Sequence, residues 1–232
     1  IYVFHCQCEV DVNPILYSVE GIENGLKFLQ LQHMIAEGKD FGPFDFLAEK
    51  DADFSVRFME ELFVEKGISL YRPPEKITPI YQIKSGLVKI GGYSEDGREV
   101  GYDVLKEGEF FGNLRYLDGQ FSEFAKVLTP VYLRKFDSDY FKYLIVHEPE
   151  VSEWFNKQVV KRWCRAEERL FAIRSLSPEE RVNRICKYYS QEIVIGQGRK
   201  VKAIQVISIQ DIADLTGLTR QTASKILKSI QL

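Results

Sequence analysis

The 232-residue chain is predicted to be an α+β protein: an antiparallel β-roll, one long helix, and a C-terminal helix-turn-helix. Three observations predict it. Short β-branched and aromatic runs alternate with glycines over residues 67–136. A long amphipathic stretch follows from Glu148 to Ser175. The segment SIQDIADLTGLTRQTASKILKSI, at 208–230, then reads as two short helices around Gly217. The composition, 45% hydrophobic and 28% charged, is that of a folded protein and not a disordered one. No apolar run approaches the roughly 20 residues of a bilayer span. The chain opens at Ile1 with no recognisable signal peptide, and the cytoplasm is the expected compartment.

Residues 1–53 are read as a partly helical N-terminal extension, with an amphipathic helix over Val19–Glu37. A sensor unit is expected over 54–147. It starts with a short helix over Phe54–Lys66, with Phe58, Met59, Leu62 and Phe63 inward. Strands follow at Ile68–Tyr71, Ile80–Ile83, Leu87–Gly91, Glu99–Leu105 and Lys126–Phe136. Gly86, Gly97 and Gly108 recur every 11 residues, and Asp96-Gly97 suits a type I′ hairpin turn. Two such layers enclose a hollow, a natural ligand cavity. Asp137–His147 closes the unit as a short helix.

Residues 148–175 form the long helix, about 40 Å at 1.5 Å per residue. Phe155, Val159, Trp163, Ala166, Leu170 and Ile173 repeat at spacings of three and four, a coiled-coil-like seam flanked by charge. So much apolar surface on one helix calls for a twin, and a homodimer is expected. Residues 176–232 form the last unit. Ser177 caps a helix with Pro178 in its first turn and Glu179 and Glu180 at the positive end of its dipole. Val194–Lys202 reads as a loop or hairpin and Ala203–Ile207 as a short strand.

In the helix pair, Ser208 caps the first helix and Asp211 reinforces that start. Gly217 supplies the left-handed turn, and Thr219 caps the second helix. Ala223, Ile226, Leu227 and Ile230 face inward, which leaves Arg220, Gln221, Ser224, Lys225 and Lys228 outside. This is the construction of a DNA-reading helix-turn-helix, although an ordinary helical hairpin has the same skeleton. Charge separates the two. Residues 176–232 carry nine Lys/Arg against five Asp/Glu, a balance of +4, while the rest of the chain carries 22 against 29, or −7. A basic head on an acidic body suits nucleic acid.

Four cysteines, Cys6, Cys8, Cys164 and Cys186, give no metal-ligand spacing, so no metal site is expected. No nucleophile–base pair, paired carboxylates or phosphate-cradling loop suggests an enzyme. The remaining rival is a sensor or scaffold whose head binds a protein.

The order of units, with KSGLVKIGGYSEDGREVGYDVLKEGEFFG at 84–112, SLSPEERV at 175–182 and ISIQDIADLTGLTRQTASKIL at 207–227, resembles the CRP/FNR family of bacterial transcription regulators over residues 54–232. The resemblance implies a cyclic-nucleotide-binding-like double-stranded β-helix, a dimerisation helix and a winged helix-turn-helix. It also implies a palindromic double-stranded DNA site and RNA polymerase as a further partner. The family's small wing follows the recognition helix, whereas this sequence ends at Leu232, so the wing is expected to be cut off or disordered. The family's DNA-facing positions fall on Ser208, Gln210, Thr219, Arg220, Gln221, Thr222, Ser224, Lys225 and Lys228. Where the family often has Ser-Arg-Glu-Thr-Val-x-Arg, this chain has Thr219-Arg220-Gln221-Thr222-Ala223-Ser224-Lys225, so a different operator is expected.

The effector pocket implied by the resemblance falls on Gly112, Asn113, Leu114, Glu123, Phe124, Ala125, Ala166 and Glu167. Cyclic-AMP-binding members carry Gly-Glu-Leu and Arg-Ser-Ala where this chain has Gly112-Asn113-Leu114 and Glu123-Phe124-Ala125. A carboxylate at the phosphate position and a Phe filling the space argue against cyclic AMP. Cys6 and Cys8 lack an iron–sulfur pattern, and His5, His33 and His147 are scattered, so neither a cluster nor a haem is favoured. The effector is left as an unidentified small molecule or redox signal, with a haem- or nitrosative-stress-sensing variant of the same family as the alternative.

Overall fold

A computed structural model describes residues 58–116, 121–196 and 198–230. The expected Val19–Glu37 helix, Cys6, Cys8, His5 and His33 lie outside the described residues. Eight strands make two four-stranded antiparallel sheets. One has the order β1 (Met59–Val64), β8 (Val131–Phe136), β3 (Ile80–Ser85), β6 (Phe110–Phe111). The other runs β2 (Ser69–Tyr71), β7 (Phe124–Val127), β4 (Val88–Tyr93), β5 (Glu99–Leu105). Tyr71, Tyr81, Ile83, Val88, Ile90, Leu105, Phe111, Ala125, Val127, Val131 and Leu133 fill the space between them. Along β4 and β5 the side chains alternate: Val88, Ile90 and Leu105 point inward, so Lys89 and Val104 lie on the outer face.

Four local expectations are corrected. Residues 59–64 are strand β1, not helix, because all six pair antiparallel with β8, which offers them an open edge. Lys126–Phe136 is two strands in different sheets, broken where Thr129 Oγ1 accepts the Leu87 N–H at 2.9 Å. The 94–98 loop is longer than a type I′ turn. Tyr93 pairs with Glu99, Gly97 N–H donates to Ser94 O at 2.8 Å, and of Asp96 and Gly97 only Gly97 has positive φ. Ala203–Gln205 is a 3-10 turn where a strand was expected.

Gly91 is where the second sheet tolerates no side chain. A Cβ there would lie 2.3 Å from Val100 O and 2.6 Å from Phe124 Cζ. Gly91→Ala is expected to cost about 1–3 kcal/mol, read as a lowered midpoint in thermal unfolding.

Helix α1 (Ser138–His147) is capped by the Asp137 carboxylate, which accepts from the Asp139 and Tyr140 N–H groups. Helix α2 (Pro149–Ser175) starts at a proline and ends where Leu176 becomes extended. Helix α3 (Pro178–Tyr188) carries a complete capping box between Ser177 and Glu180. A hairpin, β9 (Glu192–Ile195) with β10 (Arg199–Lys202), leads through the 3-10 turn to α4 (Ile209–Thr216) and α5 (Arg220–Ile230).

The head is not suspended from the long helix alone. Leu87 and Val104 of the roll share one buried cluster with Val182, Ile185, Tyr189, Ile207, Ile212 and Ile226 of the head. Tyr189, fully buried, donates its hydroxyl to Val104 O at 2.9 Å.

Candidate nucleic-acid interface

The helix pair is built by local signals. Ser208 Oγ accepts from Asp211 N–H at 3.1 Å, and Asp211 Oδ2 accepts from Ser208 N–H at 3.2 Å, closing the first turn of α4. Gly217 ends the helix at φ 64°, ψ 34°, a left-handed conformation that costs an L side chain roughly 1–2 kcal/mol. Thr219 Oγ1 then accepts from Thr222 N–H at 3.2 Å and starts α5. Arg181 of α3 donates to Thr216 O at 2.8 Å and fixes the corner from below.

Ala223 and Ile226 are buried, which turns the rest of α5 outward. Arg220, Gln221, Lys225 and Lys228 are exposed, and Ser224 and Thr222 are half-buried among them. Arg220, Gln221, Ser224, Lys225 and Lys228 fall within about 140° of arc at 100° per residue, so they form one face. Thr219 and Ser208 are exposed. Gln210 is half-buried, and its amide donates to Asp214 Oδ1 at 2.8 Å. A convex row of two lysines, an arginine and an amide can do the two things that DNA reading needs: neutralise phosphates and offer bidentate donors to base edges.

The residues expected around an effector divide differently. Glu123 is enclosed: Tyr71 donates to it at 2.5 Å, Tyr102 donates from the other side, and Arg162 of α2 lies 3.7 Å away. Burial, reinforced by the neighbouring carboxylate, raises the ionisation of both Tyr71 and Tyr102 well above the usual phenol range, so both stay hydroxyl donors. Ala125 lies in the roll core beside this cluster. Phe124 does not. Strand alternation puts it on the opposite face, against Tyr93 (ring centroids 5.3 Å apart) and Gly91, so it does not fill the cavity as expected.

Asn113 is committed to neighbouring backbone instead. Its Nδ2 donates to Lys76 O at 2.7 Å, and its Oδ1 accepts from Arg115 N–H at 2.8 Å, between Gly112 and half-buried Leu114. Ala166 and Glu167 are exposed, and Glu167 accepts from Trp163 Nε1 at 2.6 Å along its own helix.

The face of α2 that meets the roll carries arginines instead. Arg165 reaches Asp103 at 2.7 Å and Glu109 at 2.6 Å, and Arg169 reaches Asp103 at 3.0 Å. With Arg162 on Glu123, three arginines at 162, 165 and 169 oppose three carboxylates of the roll. Sequence reading recorded charge beside the seam but missed this pairing; the i, i+3, i+7 spacing of the arginines was the available signal.

Along the seam, Val159, Trp163, Ala166, Leu170 and Ile173 are exposed. Val160 and Phe171, also exposed, extend the apolar strip beyond the predicted set. Phe155 leaves the seam, because its ring packs on Phe110 (5.1 Å) and Phe141 (6.3 Å) of the same subunit. Ile173, at the far end, also faces Gly217, where an added Cβ would lie 3.5 Å from it.

Comparison with known proteins agrees with this architecture. Residues 61–148 match the cyclic nucleotide-binding domain family. The chain is 27% identical over 163 residues to a CRP-like cAMP-activated global transcriptional regulator of Mycobacterium tuberculosis, covering 70% of this chain and 73% of that one. It is 24% identical over 173 residues to the global nitrogen regulator of Synechococcus elongatus, covering 72% and 77%. Among solved structures, the c-di-GMP responsive global regulator CLP of Xanthomonas campestris superposes with a TM-score of 0.60 at 22% identity, over 78% of this chain and 92% of that one. FixK2 of Bradyrhizobium japonicum does so with a TM-score of 0.60 at 18% identity, over 75% and 84%. With the roll, the long helix and the capped helix pair in that order, the chain matches the cyclic nucleotide-binding domain family over residues 61–148, resembles CRP-like regulators in sequence and shares the fold of the solved CLP and FixK2 structures.

Proposed function

We propose that this protein is a homodimeric, DNA-binding transcription regulator whose β-roll senses a small effector or redox signal other than cyclic AMP. The observation that carries the reading is the exposed face of α5, with Arg220, Gln221 and Lys225 outward on a helix capped at its start and buried on its other side. In this reading Arg220 reads guanine bidentately, Gln221 pairs with adenine and Lys225 adds a single-point contact. Ser208, Gln210, Thr219, Thr222, Ser224 and Lys228 position the head on phosphates. The exposed seam of α2 joins two copies, which sets two recognition helices about 34 Å apart on one face of a palindromic duplex. RNA polymerase is the further partner this entails, and the cytoplasm the compartment. Among the described residues no helix is long and apolar enough to cross a membrane.

The roll's own chemistry argues against a cyclic phosphate. At the position where the family's cyclic-AMP binders hold the phosphate, Glu123 offers a second anion whose lone pairs already accept from two phenols. The arginine nearest to it is paired with that carboxylate. Cyclic AMP therefore does not fit, and isothermal titration at millimolar nucleotide is expected to register no heat of binding.

Salt separates DNA reading from protein binding. Each phosphate neutralised lowers the slope of log affinity against log salt concentration by about 0.9. Fluorescence anisotropy with a duplex recovered from a randomised library is expected to give a steep, linear decline. A flat dependence, or no duplex recovered at all, would leave a protein partner as the reading for the head.

A further inference from the structure

We propose that the head is held on its own roll by a polar latch that opposes DNA binding. This inference rests on the DNA-binding reading above and adds its control. The latch lies on the outer face of the second sheet, apart from the Glu123 cluster. The β4–β5 register shifts between Ile90 and Gly91, and beside this irregularity the Gly101 N–H donates out of the sheet to Asp214 Oδ2 of α4 at 2.9 Å. Lys89, one strand over, places its ammonium 2.9 Å from Asp211 Oδ1. Both partners are nearly sealed from water, with side chains 11% and 4% exposed. Glu99 holds Lys89 at 3.5 Å and Lys126 at 3.0 Å, so the patch is a network and not an isolated pair. Arg98 adds a looser contact, 4.0 Å from Asp214.

Two features make this arrangement inhibitory. The latched carboxylates are also the partners of the side chains that a first helix presents to a DNA backbone. Asp211 accepts from Ser208 Oγ at 2.6 Å, and Asp214 accepts from Gln210 Nε2 at 2.8 Å. While Asp211 and Asp214 are fixed to the roll, the helix start that carries Ser208 and Gln210 is held against the second sheet and cannot turn toward a duplex. The latch also sets the β4–β5 hairpin tip beside α4, with Glu95 and Asp96 exposed on it. A phosphate backbone lying over the start of α4 meets those carboxylates. Detaching the head lets the start of α4 turn outward and carries it away from the acidic tip.

Two variants of the full chain test this from opposite sides. Lys89→Gln removes the buried cation and keeps both capping residues of α4, Ser208 and Asp211, in the chain. Gly101→Cys with Asp214→Cys places two thiols across the junction where the Gly101 N–H meets Asp214 Oδ2 at 2.9 Å, with the Lys89 stem, 3.1 Å from an added Cβ, shifting aside. The probe is a duplex of about 30 base pairs, three helical turns, selected from a randomised library. Losing a positive charge should by itself weaken DNA binding, so the expected result has the opposite sign. Lys89→Gln binds tighter, within the roughly 5- to 150-fold span of allosteric couplings, and its Gly101 amide exchanges hydrogen faster. The oxidised double-cysteine chain loses the duplex, and dithiothreitol restores it.

Equal or weaker binding by Lys89→Gln, or an oxidised chain that binds as well as the reduced one, overturns the latch and leaves the DNA reading standing. If circular dichroism reports that Lys89→Gln has not folded, the disulfide pair decides alone. Failure of every form to bind any duplex overturns both.

Discussion

Arg220→Ala is expected to cost the protein about 1–3 kcal/mol of operator affinity, roughly 5- to 150-fold, and to relax the preference at one base pair of each half-site. The side chain is exposed at the first turn of α5, where the helix buries Ala223 and Ile226 and so has only one face to offer. Removing the guanidinium takes away a planar fork that a lysine could not replace, so Arg220→Lys should recover non-specific affinity but not the base preference. Thermal stability should not move with either change, because no buried contact is lost. Selection of binding sites from a randomised library, run in parallel on wild type and variant, measures affinity and preference together. A variant with unaltered preference would remove Arg220 from the reading surface.

Leu170→Glu should break the dimer. Leu170 and Trp163 stand exposed on α2, with Val159, Val160 and Phe171 around them, a strip left uncovered among the described residues. A carboxylate in its centre must be desolvated against its own copy across the two-fold axis, and an unpaired buried charge costs several kcal/mol. Sedimentation velocity should then find a monomer at concentrations where wild type is dimeric. Operator affinity should fall far more than for Arg220→Ala, because the two half-sites are no longer bound as one event. Phe155→Glu gives the contrasting outcome. Its ring packs against Phe110 and Phe141 within the subunit, so it should destabilise the fold instead of the assembly.

How far the sequence could be read follows from how local each signal is. Ser177, Ser208, Gly217 and Thr219 act within four residues of themselves, and the helix boundaries they imply match the structure. The same holds for the 27-residue length of α2, delimited by Pro149 and the turn at Leu176. Strand β1 was missed because Met59–Val64 owes its shape to a partner about 70 residues away, and its own pattern fits a helix as well. Phe124 was put in the cavity because a resemblance gives a position in the chain but not a face of the sheet. One residue of register separates the interior from the surface that receives the head.

The sensor cluster was half legible. Glu123 could be recognised as hostile to a phosphate, but not that Tyr71, Tyr102 and Arg162 would converge on it from three other elements. The latch was not legible at all. It depends on one amide that donates out of the sheet beside an irregular β4–β5 register, and on a placement of the head that no pairwise spacing encodes.

The most direct test of the account is a hydroxyl-radical footprint of the wild-type chain on its selected duplex. Two recognition helices held by one α2 seam should protect two patches on the same face of the duplex, centred about 34 Å or 10–10.5 base pairs apart and related by two-fold symmetry. A single protected patch, or two patches at another spacing, would contradict the paired placement of the heads on which this reading of the molecule depends.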